Sequence, residues 1–238
     1  MSSASVRPVA STSWRSRVSD RILAGRGCEP PSGRRCPPGT ESPVSTRLPA
    51  KARRQQLLDT SLATFARLGY HDSSMNDIAD SAGVTKPVLY QHFESKRELF
   101  LELLVELSRD LRATVRAAVE TASSPRQQVE FGTAAYMHWV DGNRDGFVVL
   151  FDAEVRRDPE FSEVARRVHR DLVDSLADLI VVPGLDRERQ RLLAHGLVGL
   201  NEKTCMRWLE KEIDLDVDEL AAQVAALAWS GLRGLDPT

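Results

Sequence analysis

The sequence has little cysteine, no long apolar run and no sustained period-two alternation, and each shortage narrows the class of protein. Its three cysteines, Cys28, Cys36 and Cys205, form no C-x-x-C pair, and two of them fall in an N-terminal stretch with little capacity to order. That usage supports neither a zinc site nor a disulfide framework, and it fits a reducing cytoplasm. No stretch reaches about 18 apolar residues, so no membrane span is expected. No apolar core follows the N-terminal charges, which argues against a secretory signal. Gly-rich phosphate loops and H-E-x-x-H patterns are also missing, and the acids are scattered over what read as solvated helix faces. Catalysis needs convergent groups of shifted pKa, so an all-α enzyme ranks last among the readings, and no cofactor or metal is expected.

Charge is balanced in total but not in distribution. Residues 1–49 carry eight Arg against three acids (Asp20, Glu29, Glu41), which leaves 24 basic and 31 acidic residues for the rest. The same segment is rich in Ser, Pro and Gly and cannot bury enough surface to offset its ordering entropy, so disorder is expected there. A dispensable tail or over-extended start is the plainest reading. A basic arm adding phosphate contacts and an organelle-targeting peptide are the alternatives. An acidic body is repelled by polyanions, so any nucleic-acid binding must come from a few placed cations and helix N-termini.

The stretch 69–100 organises the chain. Ser74-Met75-Asn76-Asp77 reads as a capping box that opens a helix carrying Ile78, Ala79 and Ala82, and Gly83 stops it. Thr85 is placed to cap a second helix with Pro87 in its first turn, where a missing N–H costs nothing. Val88, Leu89 and Phe93 give that helix an inward face, which leaves Lys86, Tyr90, Gln91 and His92 outward. Ser95 to Glu98 reads as another capping box, opening a long helix with the stripe Leu99, Phe100, Leu103, Leu104, Leu107, Leu111 and Val115. Helix, tight Gly turn, helix is the unit whose second helix can enter a DNA major groove.

IADSAGVTKPVLYQHFESKRELF, together with the preceding helix ending FARLGY, resembles the DNA-binding signature of the tetracycline-repressor (TetR) family of bacterial transcription regulators. The resemblance covers roughly residues 51–104. It implies a three-helix helix-turn-helix head in which Ser73, Ser74, Thr85, Lys86, Pro87, Tyr90, Gln91, His92 and Lys96 form the DNA-contacting set. Tyr90, His92 and Lys96 suit phosphates, and Gln91 suits adenine through its two-pronged amide.

The remainder reads as helices throughout. Leu58, Leu62 and Phe65 stripe a helix from Lys51 to Leu68. Further segments run over 126–140, over 144–157, from Asp158-Pro159 to Leu179, over 186–209, and from Asp216 to Trp229. The expected fold is all-α, with a tail (1–49), a helix-turn-helix domain (50–97) and a larger helical effector-binding and dimerisation domain (98–235). Leu193, Gly196, Leu197 and Leu200, with Leu220, Val224 and Leu227, stripe the last two helices among small residues. Alone they fit an internal core equally well; the resemblance implies a homodimer bundle across a two-fold axis. Tyr136, Trp139, Phe147, Phe151 and Met206 are candidates for a pocket holding a small apolar effector, or else ordinary core. The function expected is a repressor bound to a palindromic double-stranded operator and released by that effector. An effector-free, nucleoid-structuring DNA binder is the chief rival.

Overall fold

A computed structural model describes residues 49–233, apart from 152–154, 156–157, 160 and 182–183. The basic tail, and residues 152–154 and 156–157 of the segment expected over 144–157, therefore lie outside the described residues. Nine α-helices and no strand occur among those described: α1 (Ala50–Leu68), α2 (Met75–Ser81), α3 (Lys86–Tyr90), α4 (Lys96–Glu120), α5 (Pro125–Gly142), α6 (Arg144–Phe151), α7 (Ser162–Ala177), α8 (Arg187–Leu209) and α9 (Val217–Leu232).

The head is built from α1, α2, α3 and the start of α4. Leu57, Leu58, Leu62 and Phe65 of α1 pack with Ile78, Ala79, Leu89, Phe93, Leu99 and Phe100, all nearly inaccessible. Two hydroxyls buried in α1 bond to backbone: Ser61 Oγ donates to Leu58 O at 2.8 Å, and Thr64 Oγ1 to Thr60 O at 3.4 Å. Gly69 (φ 79°) ends α1 and Gly83 (φ 61°) makes the turn between α2 and α3, both in the left-handed region that other residues enter at a cost. Arg54 holds α1 to α4, pairing with Glu98 and Glu102 while its guanidinium lies 4.3 Å from the Phe93 ring centroid.

α4 carries the stripe to the rest of the molecule. At 1.5 Å per residue its 25 residues reach about 37 Å. Leu99 through Leu111 are buried along its inner face against α5, α6 and α7. α6 in turn packs on α1, and Gly146 is what permits its approach to α4. A Cβ at that position would lie 2.8 Å from Leu107 Cδ2. α9 packs along α5, and the Trp208 indole N–H donates to Leu215 O at 2.8 Å, pinning the turn between α8 and α9.

Helix starts depart from expectation in three places. The Ser74 box is reciprocal, as expected: Asp77 N–H donates to Ser74 Oγ (3.2 Å) and Ser74 N–H to the Asp77 carboxylate (2.8 Å). Ser95 Oγ accepts from Glu98 N–H at 3.1 Å, but the Glu98 carboxylate takes the N–H of Glu94 instead of that of Ser95. Thr85 occupies the N-cap of α3 with no side-chain cap bond, so Pro87 and packing start that helix. α7 begins at Ser162, not at Asp158-Pro159. The Asp158 carbonyl accepts from both Phe161 and Ser162 N–H (3.2 and 2.8 Å), closing a turn before the helix.

Candidate nucleic-acid interface and effector cleft

α3 is only five residues long, and its inward anchor is Leu89, followed by Phe93 in the next turn; both are inaccessible. Thr85, Lys86, Pro87, Tyr90 and Gln91 are exposed and His92 is half-buried. The expected outward set is therefore presented together, with one change of geometry. Gln91 and His92 lie in the turn after α3, not on the helix, and Gln91 is its C-cap. The Lys86 ammonium lies 6.0 Å from the Tyr90 ring centroid, so a cation and a phenol share one edge of the exposed face.

The two serines separate. Ser74 is exposed at the N-terminus of α2, where its hydroxyl also donates to the Asp77 carboxylate at 2.6 Å. That bond and the Ser74 N–H hold the Asp77 carboxyl below the usual carboxylate range. Ser73 is buried, with its hydroxyl donating to Tyr70 O at 2.9 Å, so it faces the loop and not a phosphate.

Lys96 differs from expectation in the same way. Its ammonium donates to Tyr70 O (2.7 Å), Ser73 O (2.8 Å) and His71 O (3.3 Å), and sits 4.3 Å from the Tyr70 ring centroid. With three carbonyls satisfied, this cation staples the α1–α2 loop to α4. In this conformation it positions the interface without facing outward.

The pocket expectation is largely displaced. A cleft of about 630 Å³, its open mouth included, lies among α4, α5, α7 and α8. Its apolar wall is made by Val115, Val129, Leu172, Leu176, Leu179, Leu197 and Val198. Its polar groups are Arg112, Arg116, Gln128, Thr133, Ser175 and Asn201. Of the five aromatic and Met candidates only Tyr136 reaches it. Trp139 is buried with its indole N–H donating to Asp110 at 2.8 Å, Phe147 and Phe151 pack on each other with tilted rings in the core, and Met206 packs against that core. The useful signal was a polar residue inside an apolar face: Thr133 and Asn201 are buried on the inner faces of α5 and α8, where aliphatic side chains would otherwise stand.

The dimer candidates also divide. Leu220 and Val224 are buried in the chain's own core, on the flank of α9 that packs against α5, and Leu197 lines the cleft. Gly196 and Leu227 are exposed, Leu227 by 63%, and Leu193 and Leu200 are half-buried. The open face of α9 therefore runs through Ala222, Gln223, Ala226, Leu227 and Ser230. Burial pushes the Cys205 thiol up to about 12, which removes it as a nucleophile. No group of three metal-ligating side chains occurs among the described residues, and no helix there is long and apolar enough to cross a membrane.

Comparison with known proteins agrees with this layout. Residues 57–103 match the model for bacterial regulatory proteins of the tetR family, and residues 125–231 match a tetracyclin repressor-like C-terminal domain. The chain is 34% identical over 187 residues to the HTH-type transcriptional activator FasR of Mycolicibacterium smegmatis, covering 78% of this chain and 85% of that one. A TetR-like transcriptional regulator from Rhodococcus sp. RHA1 superposes with a TM-score of 0.65 at 30% identity, over 79% of this chain and all of the other. The regulator FadR of Bacillus subtilis, solved in complex with stearoyl-CoA, has the same fold, with a TM-score of 0.65 at 20% identity, over 74% of this chain and 97% of that one.

Proposed function

The chain belongs to the tetR family of bacterial regulatory proteins, and from that premise we propose that it is a homodimeric, operator-specific DNA-binding regulator whose grip on DNA is set by a small molecule held in the α4/α5/α7/α8 cleft. The observation that carries this reading is a rigid head with one polar face. Leu89 and Phe93 are locked inward, while Thr85, Lys86, Tyr90 and Gln91 stand exposed together on and beside a single turn of helix. Lys86 and Tyr90 take phosphates, and the Gln91 amide reads a base edge.

Two heads are needed because one five-residue helix covers too little of an operator. The exposed apolar strip of α9, with the Gly196 side of α8, supplies the two-fold interface, and the operator is correspondingly palindromic. Half-site centres are expected about 34–36 Å apart, one turn of DNA.

The cleft is an apolar wall with Arg112 and Arg116 at one side, the guanidinium of Arg116 mostly exposed at the rim. That combination suits an amphipathic anion, with its chain inside and its charge at the mouth. The stearoyl-CoA held by the FadR structure belongs to this chemical class. The effector releases the operator by favouring a packing of the body in which the head spacing no longer matches the groove. Repression follows where the operator overlaps a promoter. The activator named among the relatives favours a second reading, activation from an upstream operator by the same DNA contacts.

Footprinting of purified protein across genomic DNA tests the proposal, followed by screening acyl thioesters and other amphipathic anions for release from the site found. A protected palindrome and a two-fold dimer in sedimentation are expected. A monomeric chain, or uniform coating of every duplex, would replace this reading with that of an effector-free nucleoid binder.

A further inference from the structure

α7 touches both ends of the problem. Leu172, Ser175 and Leu176 in its last turns line the cleft. At its other end Phe161, the residue that precedes the helix, is wholly inaccessible and inserted among aromatic rings of the head. Its ring centroid lies 4.4 Å from Tyr70 and 5.1 Å from Phe100, edge-on to both, and Phe100 is 4.8 Å from Phe65. Beside it the Asp158 carboxylate accepts from His71 Nε2 at 2.9 Å. Tyr70 and His71 follow Gly69 in the α1–α2 loop, and Lys96 grips the carbonyls of both.

The joint is stiff where it matters. Asp158, Phe161 and Ser162 are one turn, closed by two backbone bonds onto the Asp158 carbonyl, so it moves with the first turn of α7. No side chain caps α7; the position that Ser, Asp or Thr usually fills is given to a phenylalanine, whose ring is seated in the head instead. The cleft residues Leu172 and Leu176 lie 11 and 15 positions after Phe161, about 17–22 Å of helix. Packed interfaces of this kind jump between arrangements and do not deform smoothly.

We propose that α7 is a transmission arm: displacement of its cleft end unseats the Phe161 wedge from the Tyr70–Phe100 socket and frees the α1–α2 loop of the head. This rests on reading the cleft as the effector's seat. It assigns the coupling to the wedge on α7, in addition to any shift of α4, which enters the head directly.

A test needs neither the effector nor the operator. Leu176→Trp in the full-length protein overfills the cleft from the α7 side and stands in for a ligand. Hydrogen exchange is then followed at the backbone amides of residues 69–74, in wild type, Leu176→Trp, Phe161→Leu and the double variant. Leu176→Trp is expected to speed exchange of those amides by fivefold or more while α5 and α9 stay protected. In the Phe161→Leu background, where the wedge is already loosened, the same substitution should add less than twofold. Equal acceleration in both backgrounds, or none at residues 69–74 in a Leu176→Trp protein that keeps wild-type helicity, would overturn the arm. DNA binding by the wild-type chain is scored separately, so failure of the arm and failure of the regulator reading give different results.

Discussion

Ser74 shows how one side chain serves both the fold and the interface. Its hydroxyl closes the N-terminus of α2 and is the first reason that the Asp77 carboxyl is held down. Ser74→Ala should cost ~1 kcal/mol in denaturant unfolding at neutral pH, the usual loss for an N-cap. The sign with pH follows from the depressed carboxyl. Its stabilisation is complete above the ordinary value of 3.8 and is lost as pH falls through the lower folded value. The gap in melting temperature between wild type and Ser74→Ala should therefore narrow as pH falls from the ordinary value of 3.8 through the lower folded value, where Asp77 protonates and its bond to the hydroxyl weakens. A gap that stays constant would mean that Asp77 is not coupled to the cap. Gln91 is tested by base preference. Gln91→Ala should relax selectivity at one base pair per half-site by about 1–3 kcal/mol and leave other positions alone. An equal loss across all operator variants would assign Gln91 to the backbone instead of the bases.

At the scale of elements, much was legible because the signals were local. Gly69, Gly83, the Ser74 box and the Leu99–Leu111 stripe each specify their structure within a few residues, and the helices of the head follow from them. What the pattern could not give was the direction in which a long polar side chain turns. Lys96 reads as an outward cation, and it folds back onto three carbonyls that the preceding loop happens to leave in reach. The cleft was hidden for a related reason. Periodicity marks which residues are inward but not which inward faces fail to meet, so Phe147 and Phe151 look as suitable as Val115 or Leu176. Gly146 lowers the helix propensity of α6, and its reason is an approach to Leu107 that becomes visible only once α4 is beside it. Gly146→Ala should cost about 1–3 kcal/mol by overpacking, since the added Cβ would meet Leu107, which is itself buried. On α9 the two flanks predict opposite behaviour. Leu220→Ala should destabilise the folded chain by about 2–5 kcal/mol, because it opens a hole against neighbouring helices. Leu227→Arg should leave the fold intact and shift sedimentation from dimer to monomer; a dimer that survives places the interface elsewhere.

At the scale of the molecule the question is how an acidic protein holds a polyanion. Outside residues 1–49 it carries 24 basic against 31 acidic side chains, so long-range attraction does not help. Several cations of the head are already committed: Arg54 to Glu98 and Glu102, and Lys96 to the loop carbonyls. Affinity must then rest on few phosphate contacts, each displacing condensed counterions, with Lys86 an exposed cation on the recognition edge. On duplex DNA the slope of log affinity against log salt changes by about 0.9 for each phosphate contact. Lys86→Ala removes one contact per head, and a dimer has two heads, so the slope should flatten by about 1.8 while the preferred sequence stays the same. The measurement is a salt titration of one operator and one scrambled duplex with both proteins. Lys86→Ala should weaken the two duplexes by the same factor. An unaltered slope would take Lys86 off the phosphates. A changed base preference would move it into the groove beside Gln91.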